Sequence, residues 1–397
     1  MSMTPYAAVG LSLAVALGGA ARADRAAQRH RAEQAATISR ERTIRDRDIE
    51  FFDARVTGDP TGSLDRLRLG ALVLARGRET GNPADFVRAE TEALASVRNG
   101  SRRNPGAWQL LVAARAAQHR FEAALAAADS LVQAADSTPV SRAVRGEMLV
   151  ELGQYRAADQ VFATLWPFRM GAGVGTRIAR WGDVRGKPWI AEALLDSLRI
   201  KALADPFGPI SGKAWYDYRL AELSLRYGRL GAARRYAMRG LGLDADDPRL
   251  LGVMANLAVR AGQPREAKQL AERSLLTRID PGMLALLGEI SLVTGDSTGG
   301  LRYLKAAEAL AGLAGPGFHR GAALALIDHG LAVPEVLAAA RRDVAGRPDT
   351  YGWDLLAWSL FRSGQRAEAD RAITVALAGN PLDPSIERHA RLIRAGL

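Results

Sequence analysis

The residue types that commonly carry catalysis or hold metals are sparse in this 397-residue sequence. There is no cysteine, which excludes disulfides, thiolate metal ligands and cysteine nucleophiles. The histidines are His30, His119, His319, His329 and His389. No two of them have the spacing at which one helix presents a pair of metal ligands. The sequence therefore predicts no metal site.

Segments rich in glycine or serine do not supply an active site either. The segment "MGAGVGTRIAR" at 170–180 is similar to a phosphate-binding loop, but it lacks the third glycine of a dinucleotide-binding motif and the lysine of a P-loop. Ser130 and Ser291 lie in helical segments with no base at a recognisable spacing. We therefore predict a protein that is not an enzyme and that uses no cofactor.

The chain is basic, with 54 lysines and arginines against 43 acidic residues. Nucleic-acid-binding proteins gather such charge into a patch or stripe that neutralises phosphates. Here the excess is spread along the sequence, and lysine occurs only at positions 187, 201, 213, 268 and 305. The charge pattern therefore does not favour nucleic acid as the partner.

The amino terminus indicates export. Residues 1–21 carry no charged side chain, and Ala21 and Ala23 form a small-residue cleavage pattern before Asp24. We predict that residues 1–23 are a signal peptide, which would place the protein in the periplasm or cell envelope. The alternative is an uncleaved membrane anchor, since arginines follow the apolar run. Residues 24–60 are polar and charged, and predict a solvated helix or stalk.

The elements that follow are predicted from composition and from an internal period. Alanine, leucine, arginine and glycine dominate, which favours helices over strands. The segment 350–383 has a turn glycine at Gly364, a small residue at Ala369 and a terminal proline at Pro381. Glycine permits the left-handed turn, and proline ends a helix. This spacing predicts two helices joined by a tight turn.

The same pattern recurs along the chain. Gly228 and Gly262 occupy the turn position, and Ala233 and Ala267 the small position, whereas Val336 stands where a small residue is expected. The first unit has its glycines too far apart, which predicts a lengthened first helix. The further units cover residues 61–104, 105–138, 139–171, 172–205, 212–244, 248–280, 281–314 and 315–349.

This order of small residues, turn glycine and terminal proline resembles the tetratricopeptide repeat family, whose unit has 34 residues. The resemblance implies an all-α fold, in which about nine helical hairpins over residues 61–383 stack into a right-handed α-solenoid. Residues 384–397 would form a C-terminal capping helix. Residues 203–213 contain two prolines and two glycines, which predicts a bend or an insertion. The segment 319–369 also resembles exported bacterial members of the family that have no assigned activity.

In this family a concave groove, lined by the first helix of each hairpin, binds partners. The lysine and asparagine set with which some members hold a peptide carboxylate is absent here. When the family's groove positions are carried over to this sequence, they correspond to Arg180, Tyr218, Glu222, Arg226, Asn256, Arg260, Trp358 and Arg362.

Arginine and aromatic residues are the types that anchor protein interfaces. We therefore predict a non-catalytic exported scaffold that binds a protein or peptide. The alternative is a structural subunit of a membrane-associated or self-assembling complex, tethered by its amino-terminal segment.

Overall fold

The computed structural model describes residues 5–100, 103–314, 318–379 and 381–396, with side chains from residue 29 onward except at 30 and 31. The predicted signal or anchor segment, residues 1–23, lies outside the residues whose side chains are described. The described residues form twenty α-helices and no strand. No helix among them combines the length and hydropathy of a membrane span.

The helices of the first half are α1 Pro5–Gly58, α2 Ser63–Thr80, α3 Pro83–Asn99, α4 Pro105–Ala117, α5 Phe121–Ala134, α6 Pro139–Glu151, α7 Tyr155–Leu165, α8 Ala172–Val184, α9 Pro188–Leu203 and α10 Ile210–Arg226. Those of the second half are α11 Leu230–Leu241, α12 Pro248–Arg260, α13 Pro264–Thr277, α14 Pro281–Val293, α15 Ser297–Leu310, α16 Arg320–Asp328, α17 Val333–Gly346, α18 Thr350–Arg362, α19 Arg366–Leu377 and α20 Pro384–Ala395.

Within the described ranges, α2 to α19 pair into nine consecutive antiparallel hairpins, and α20 packs on the last of them. The predicted α-solenoid of nine hairpins with a capping helix is confirmed. The first hairpin has the lengthened first helix that its glycine spacing predicted, since α2 has 18 residues and α4 has 13. The segment 203–213 contains a loop at 204–209, which leads into α10.

Local chemistry explains where the helices begin and turn. Asn104, Thr138 and Asp247 accept hydrogen bonds from backbone N–H groups at the start of α4, α6 and α12, and a proline follows each cap. Gly262 and Gly364 turn their hairpins with φ of 69° and 79°, a backbone conformation that is easy only without a Cβ. The small residues predicted between paired helices are fully buried, as is Val336.

The helix α1 lies against the solenoid. Ile38 and Ile49 are buried, and Arg42 and Arg45 both pair with Glu79 at the end of α2. Farther along, Gln34 Nε2 donates to the carbonyl of Gly242, at 2.6 Å. The described part of α1 thus spans from the first hairpin to the fifth.

Successive turns of the solenoid touch each other through their loops. Ile279 N donates to Thr80 O at 2.9 Å, and Thr350 N donates to the Tyr155 hydroxyl at 2.8 Å. The partners in contacts between the turns are between 195 and 200 residues apart, which is about six units of 34 residues. The solenoid therefore closes on itself after about six hairpins, and its concave side becomes an interior.

Candidate functional site

The interior of the solenoid holds a cavity of about 1300 Å³. Its walls are the first helices of the hairpins, α4, α6, α8, α10 and α12, together with the loops at which the two turns meet. First helices face inward because the second helices cover their outer side. Cavities of this size accommodate ligands larger than an ordinary small molecule.

Charged side chains are numerous in the lining of this cavity. Among the described residues, eight arginines and five carboxylates line it, an excess of three positive charges. The arginines are Arg78, Arg120, Arg177, Arg180, Arg219, Arg226, Arg249 and Arg278, and the carboxylates are Glu147, Glu151, Asp183, Glu222 and Asp280. Apolar side chains, among them Phe86, Val112 and Met283, complete the lining.

Most of these carboxylates are already bound by arginines of the next first helix. Arg177 Nε lies 2.8 Å from Glu147 Oε2, and Arg226 Nη1 lies 2.7 Å from Asp183 Oδ2. Burial raises the pKa of Asp183, but the charges of Arg226 and Arg180 outweigh burial and hold that pKa below its usual value. Asp183 therefore stays ionised, and it is occupied in binding the fourth hairpin to the fifth.

Glu151 is the centre of a second set of contacts, made across the two turns. It pairs with Arg180 at 3.2 Å and with Arg347 of the later turn. Burial alone would raise the pKa of Glu151, but Arg180 and Arg347 outweigh it and lower this pKa to about 2. Nearby, Arg226 Nη1 donates to the Tyr351 hydroxyl at 3.3 Å. Residues of the later turn thus contact three side chains that line the cavity, Glu151, Arg180 and Arg226.

Four arginines and one tyrosine lie near the contact between Thr80 and Ile279. We name Arg78, Arg177, Tyr218, Arg249 and Arg278 the crossing cluster. Arg278 Nη1 donates to the Arg78 carbonyl at 2.6 Å, and the guanidinium of Arg249 lies over the Tyr218 ring at 5.5 Å. Burial raises the pKa of Tyr218 to about 12. The phenol therefore stays protonated and can donate a hydrogen bond to an anion.

His119 lies on another wall of the cavity. It forms the turn between α4 and α5 with a φ of 56°, and its side chain is exposed to the cavity although protein surrounds it. Burial, with the charges of Arg347, His319 and Arg320, lowers its pKa to about 4. The imidazole is therefore neutral at physiological pH.

Five of the eight predicted groove residues line the cavity: Arg180, Tyr218, Glu222, Arg226 and Asn256. Asn256 Nδ2 only bonds the Gly252 carbonyl of its own helix, at 2.9 Å, and so can be replaced with little structural loss. These five side chains come from three consecutive hairpins, and the two arginines among them are ion-paired to neighbouring helices.

The other three predicted residues lie elsewhere. Arg260 and Arg362 are at the exposed ends of α12 and α18. Trp358 is only 4% exposed: its Nε1 donates to Asp328 Oδ1 at 2.7 Å, and its ring stacks on that of His389, with centroids 4.4 Å apart. The reason is the capping helix, because α20 brings His389 onto the face of α18 that a groove would have left open.

Sequence reasoning missed Arg78, Arg177, Arg249 and Arg278. Arg177 is one turn before Arg180 on α8, so helical spacing could have identified it. Arg78 and Arg278 are 200 residues apart, and no local pattern joins them. Elsewhere in the described ranges, no group of three or more histidine and acidic residues is arranged to hold a metal ion.

Comparison with known proteins gives the fold. No protein-family model matches the sequence, and no curated protein matches it. The chain is similar to the human IFIT1 dimer solved with PPP-AAAA, at 11% identity and a TM-score of 0.52, over 79% of this chain and 72% of that chain. It is also similar to a tetratricopeptide repeat protein from Parabacteroides merdae ATCC 43184, at 18% identity and a TM-score of 0.40, over 57% of this chain and 87% of that chain.

This chain has the tetratricopeptide-repeat fold. The repeat resemblance seen in the sequence is confirmed at the level of the fold, since nine hairpins of the expected length are stacked in order. The cavity is accordingly the concave side of a repeat solenoid, the side on which a stack of hairpins presents one continuous surface.

Proposed function

We propose that this protein is a non-catalytic scaffold that binds a segment of a protein or peptide partner inside the solenoid. The observation that supports this proposal is the cavity of about 1300 Å³, which is lined by arginines, aromatic rings and apolar side chains. These are the residue types that anchor protein interfaces. The crossing of the two turns also pre-organises the cavity, which reduces the entropy lost on binding.

The absence of cysteine allows a sharp test of this proposal. A single cysteine at Asn256 can be labelled with a bulky maleimide, which would obstruct the cavity. Gln269→Cys, on the exposed face of α13, is the matched control. Proteins captured from an envelope extract of the producing cell are then identified by mass spectrometry. We expect partners to be captured by the unlabelled and Gln269-labelled chains, and lost with the Asn256-labelled chain. Equal capture by all three would exclude the cavity as the binding site.

Export into the periplasm or cell envelope is part of the proposal, and the amino-terminal sequence pattern supports it. Sequencing the amino terminus of the protein from its native cell tests this point. A chain that begins at Asp24 is the expected result, and one that begins at Met1 in a membrane fraction would support the anchored form instead.

A second candidate function is that of a structural subunit that docks onto another surface. Exposed apolar side chains along α9 and in the loop after it support it, because Trp189 is 60%, Ile200 58% and Phe207 95% exposed. Light scattering on the chain from Asp24 separates the two functions. A monomer across the concentration range supports the binding scaffold, whereas assembly that Phe207→Ser abolishes would support the structural subunit.

A further inference from the structure

We propose that the partner segment held in the cavity is an acidic peptide in which carboxylates alternate with apolar residues, and that the crossing cluster recognises its carboxylates. This inference rests on the proposed function, and it adds the chemistry of the ligand. Three properties of the cavity support it: uncompensated guanidinium groups, an adjacent apolar wall, and carboxylates that disfavour a phosphate chain.

The first property is an arginine without a counter-ion. Among the described residues Arg78 has no carboxylate within ion-pair distance, and its side chain is exposed to the cavity. The carboxylate that acts on it is Glu147, which already binds Arg177 at 2.8 Å. Burial lowers the pKa of Arg78, as expected for a cation that lacks a partner in a confined site. A ligand carboxylate would supply that partner.

A second donor of the cluster, Arg278, lies beside Arg78. Arg278 is joined to the Arg78 backbone and is 3.7 Å from Asp280, a long ion pair. Asp280 is itself occupied, because it caps α14 by accepting from Met283 N at 3.0 Å. Arg278 therefore retains donor capacity toward a ligand, and guanidinium groups match carboxylates in a two-bond geometry.

The second property is the apolar wall next to the cluster. Phe86, Val87, Val112 and Met283 line the same cavity as Arg78. A purely polar anion would leave these side chains in water. A peptide that alternates acidic and apolar residues would contact both kinds of wall, and burying apolar surface contributes to affinity at about 25 cal/mol per Å².

The third property disfavours a nucleic acid. Single strands bind through continuous positive charge and free aromatic faces. In this cavity five carboxylates are interspersed with the arginines, so the positive charge is interrupted and does not follow a continuous chain of phosphates. The Tyr218 ring has Arg249 over it at 5.5 Å and Arg219 at 6.0 Å, so its faces are not free for bases.

The test uses fluorescein-labelled 12-residue peptides and the full chain, with binding measured by fluorescence polarisation. One peptide has four Asp-Ala-Leu units, and its two counterparts have asparagine or lysine in place of aspartate. We expect the aspartate peptide to bind at least tenfold more tightly than either counterpart. We expect Arg78→Gln to weaken its binding about tenfold, as for the loss of one charge-assisted hydrogen bond. Arg265→Gln, on the exposed side of α13, is the control and should have no effect.

Each outcome separates this inference from the proposed function. Equal binding of the aspartate and asparagine peptides, unchanged by Arg78→Gln, would overturn the inference and leave the scaffold proposal intact. Failure of all three peptides to bind would overturn the inference, whereas the scaffold proposal is tested separately by capture with the labelled Asn256→Cys chain. Tighter binding of a four-nucleotide oligoadenylate, weakened by Arg78→Gln, would overturn the inference in favour of nucleic acid. Circular dichroism and thermal melting check that the variants are folded. We expect Arg78→Gln to fold normally, because the Arg78 guanidinium has no ion-pair partner among the described residues.

Discussion

Arg347 and Glu151 form an ion pair across two turns of the solenoid, although 196 residues separate them in the chain. Arg347 Nε also donates to the Glu151 carbonyl at 2.7 Å, and its guanidinium lies over the Phe121 ring at 4.1 Å. One side chain therefore joins the second and third hairpins to the connection between the eighth and ninth. This contact converts a stack of hairpins into a closed structure.

Replacing Arg347 should destabilise the whole solenoid. Arg347→Ala leaves a mostly buried carboxylate with one partner fewer, and breaking such a pair costs about 3–5 kcal/mol. The free energy of unfolding, measured in urea at pH 7, checks this. Arg341→Ala, on α17 shortly before Arg347, is the matched control, because its pair with Glu368 is about half exposed and should contribute no more than about 1 kcal/mol. Equal losses in both variants would show that the contact between turns does not stabilise the fold.

Glycines at the turn crossings should tolerate a methyl group less well than other turn glycines. Gly153 and Gly262 have the same φ, 69°, so alanine at either costs about 1 kcal/mol of backbone strain. A Cβ at Gly153 would lie 2.5 Å from the Pro348 carbonyl oxygen, whereas one at Gly262 meets nothing within 4 Å. In Gly153→Ala, forcing the turns apart adds about 1–3 kcal/mol to the loss of stability.

Thermal unfolding and small-angle X-ray scattering measure both parts of this prediction. We expect Gly153→Ala to lose more stability than Gly262→Ala and to show a larger radius of gyration. The same radius and the same stability loss for both variants would contradict the closed arrangement of the turns.

Stability should fall as the pH is lowered through the range in which histidines titrate. The pKa of His119 is lowered from 6.5 to about 4, and burial also lowers the pKa of His319. Because the unfolded chain takes up these protons first, stability is lost as pH falls from about 6.5 to about 4. His119→Asn should make this loss shallower, and a double variant with His319→Asn shallower still.

Asparagine suits both positions, since it tolerates the left-handed turn at residue 119 and can cap α16 at residue 319. Urea unfolding at half-unit pH steps is the measurement, and all chains should share one slope above pH 6.5. Below pH 4.5 every chain should lose further stability. The pKa of Glu151 is near 2 in the folded protein, so in this range the unfolded chain takes up a proton at Glu151 that the folded chain does not. An unchanged slope between pH 6.5 and 4.5 in the double variant would refute the prediction.

Trp358 should affect stability far more than Arg362 does. Trp358→Ala removes a buried ring that stacks on His389, and such truncations cost about 3–5 kcal/mol. Trp358→Phe keeps a ring but loses the bond to Asp328, at a cost of about 1.5 kcal/mol. Arg362→Gln, at an exposed site, should change stability by no more than about 0.5 kcal/mol.

Chemical denaturation and partner capture together decide the role of Trp358. We expect capture by Trp358→Phe to match that of the wild type wherever the variant is folded. Loss of capture without loss of stability would instead identify Trp358 as a binding residue.

The sequence by itself determined the hairpins. Gly262, Gly364 and the buried alanines are local signals, because turn conformation and helix packing depend on residues within one repeat. For the same reason the repeat resemblance, carried over by position within one repeat, predicted Arg180, Tyr218 and Arg226 on the inner face, where they line the cavity. Stacking of neighbours then followed from the repeat length.

Only the tertiary structure decided that the solenoid closes and what its interior contains. The rotation between neighbouring hairpins is small, and it accumulates over about six of them before Thr80 meets Ile279. No local pattern encodes that sum, so the approach of Arg78 to Arg278 could not be read from spacing. The burial of Trp358 could not be predicted from the sequence for a related reason, since it depends on where α20 places His389. The hairpins form from interactions within one repeat, whereas the cavity depends on the angles between all neighbouring hairpins.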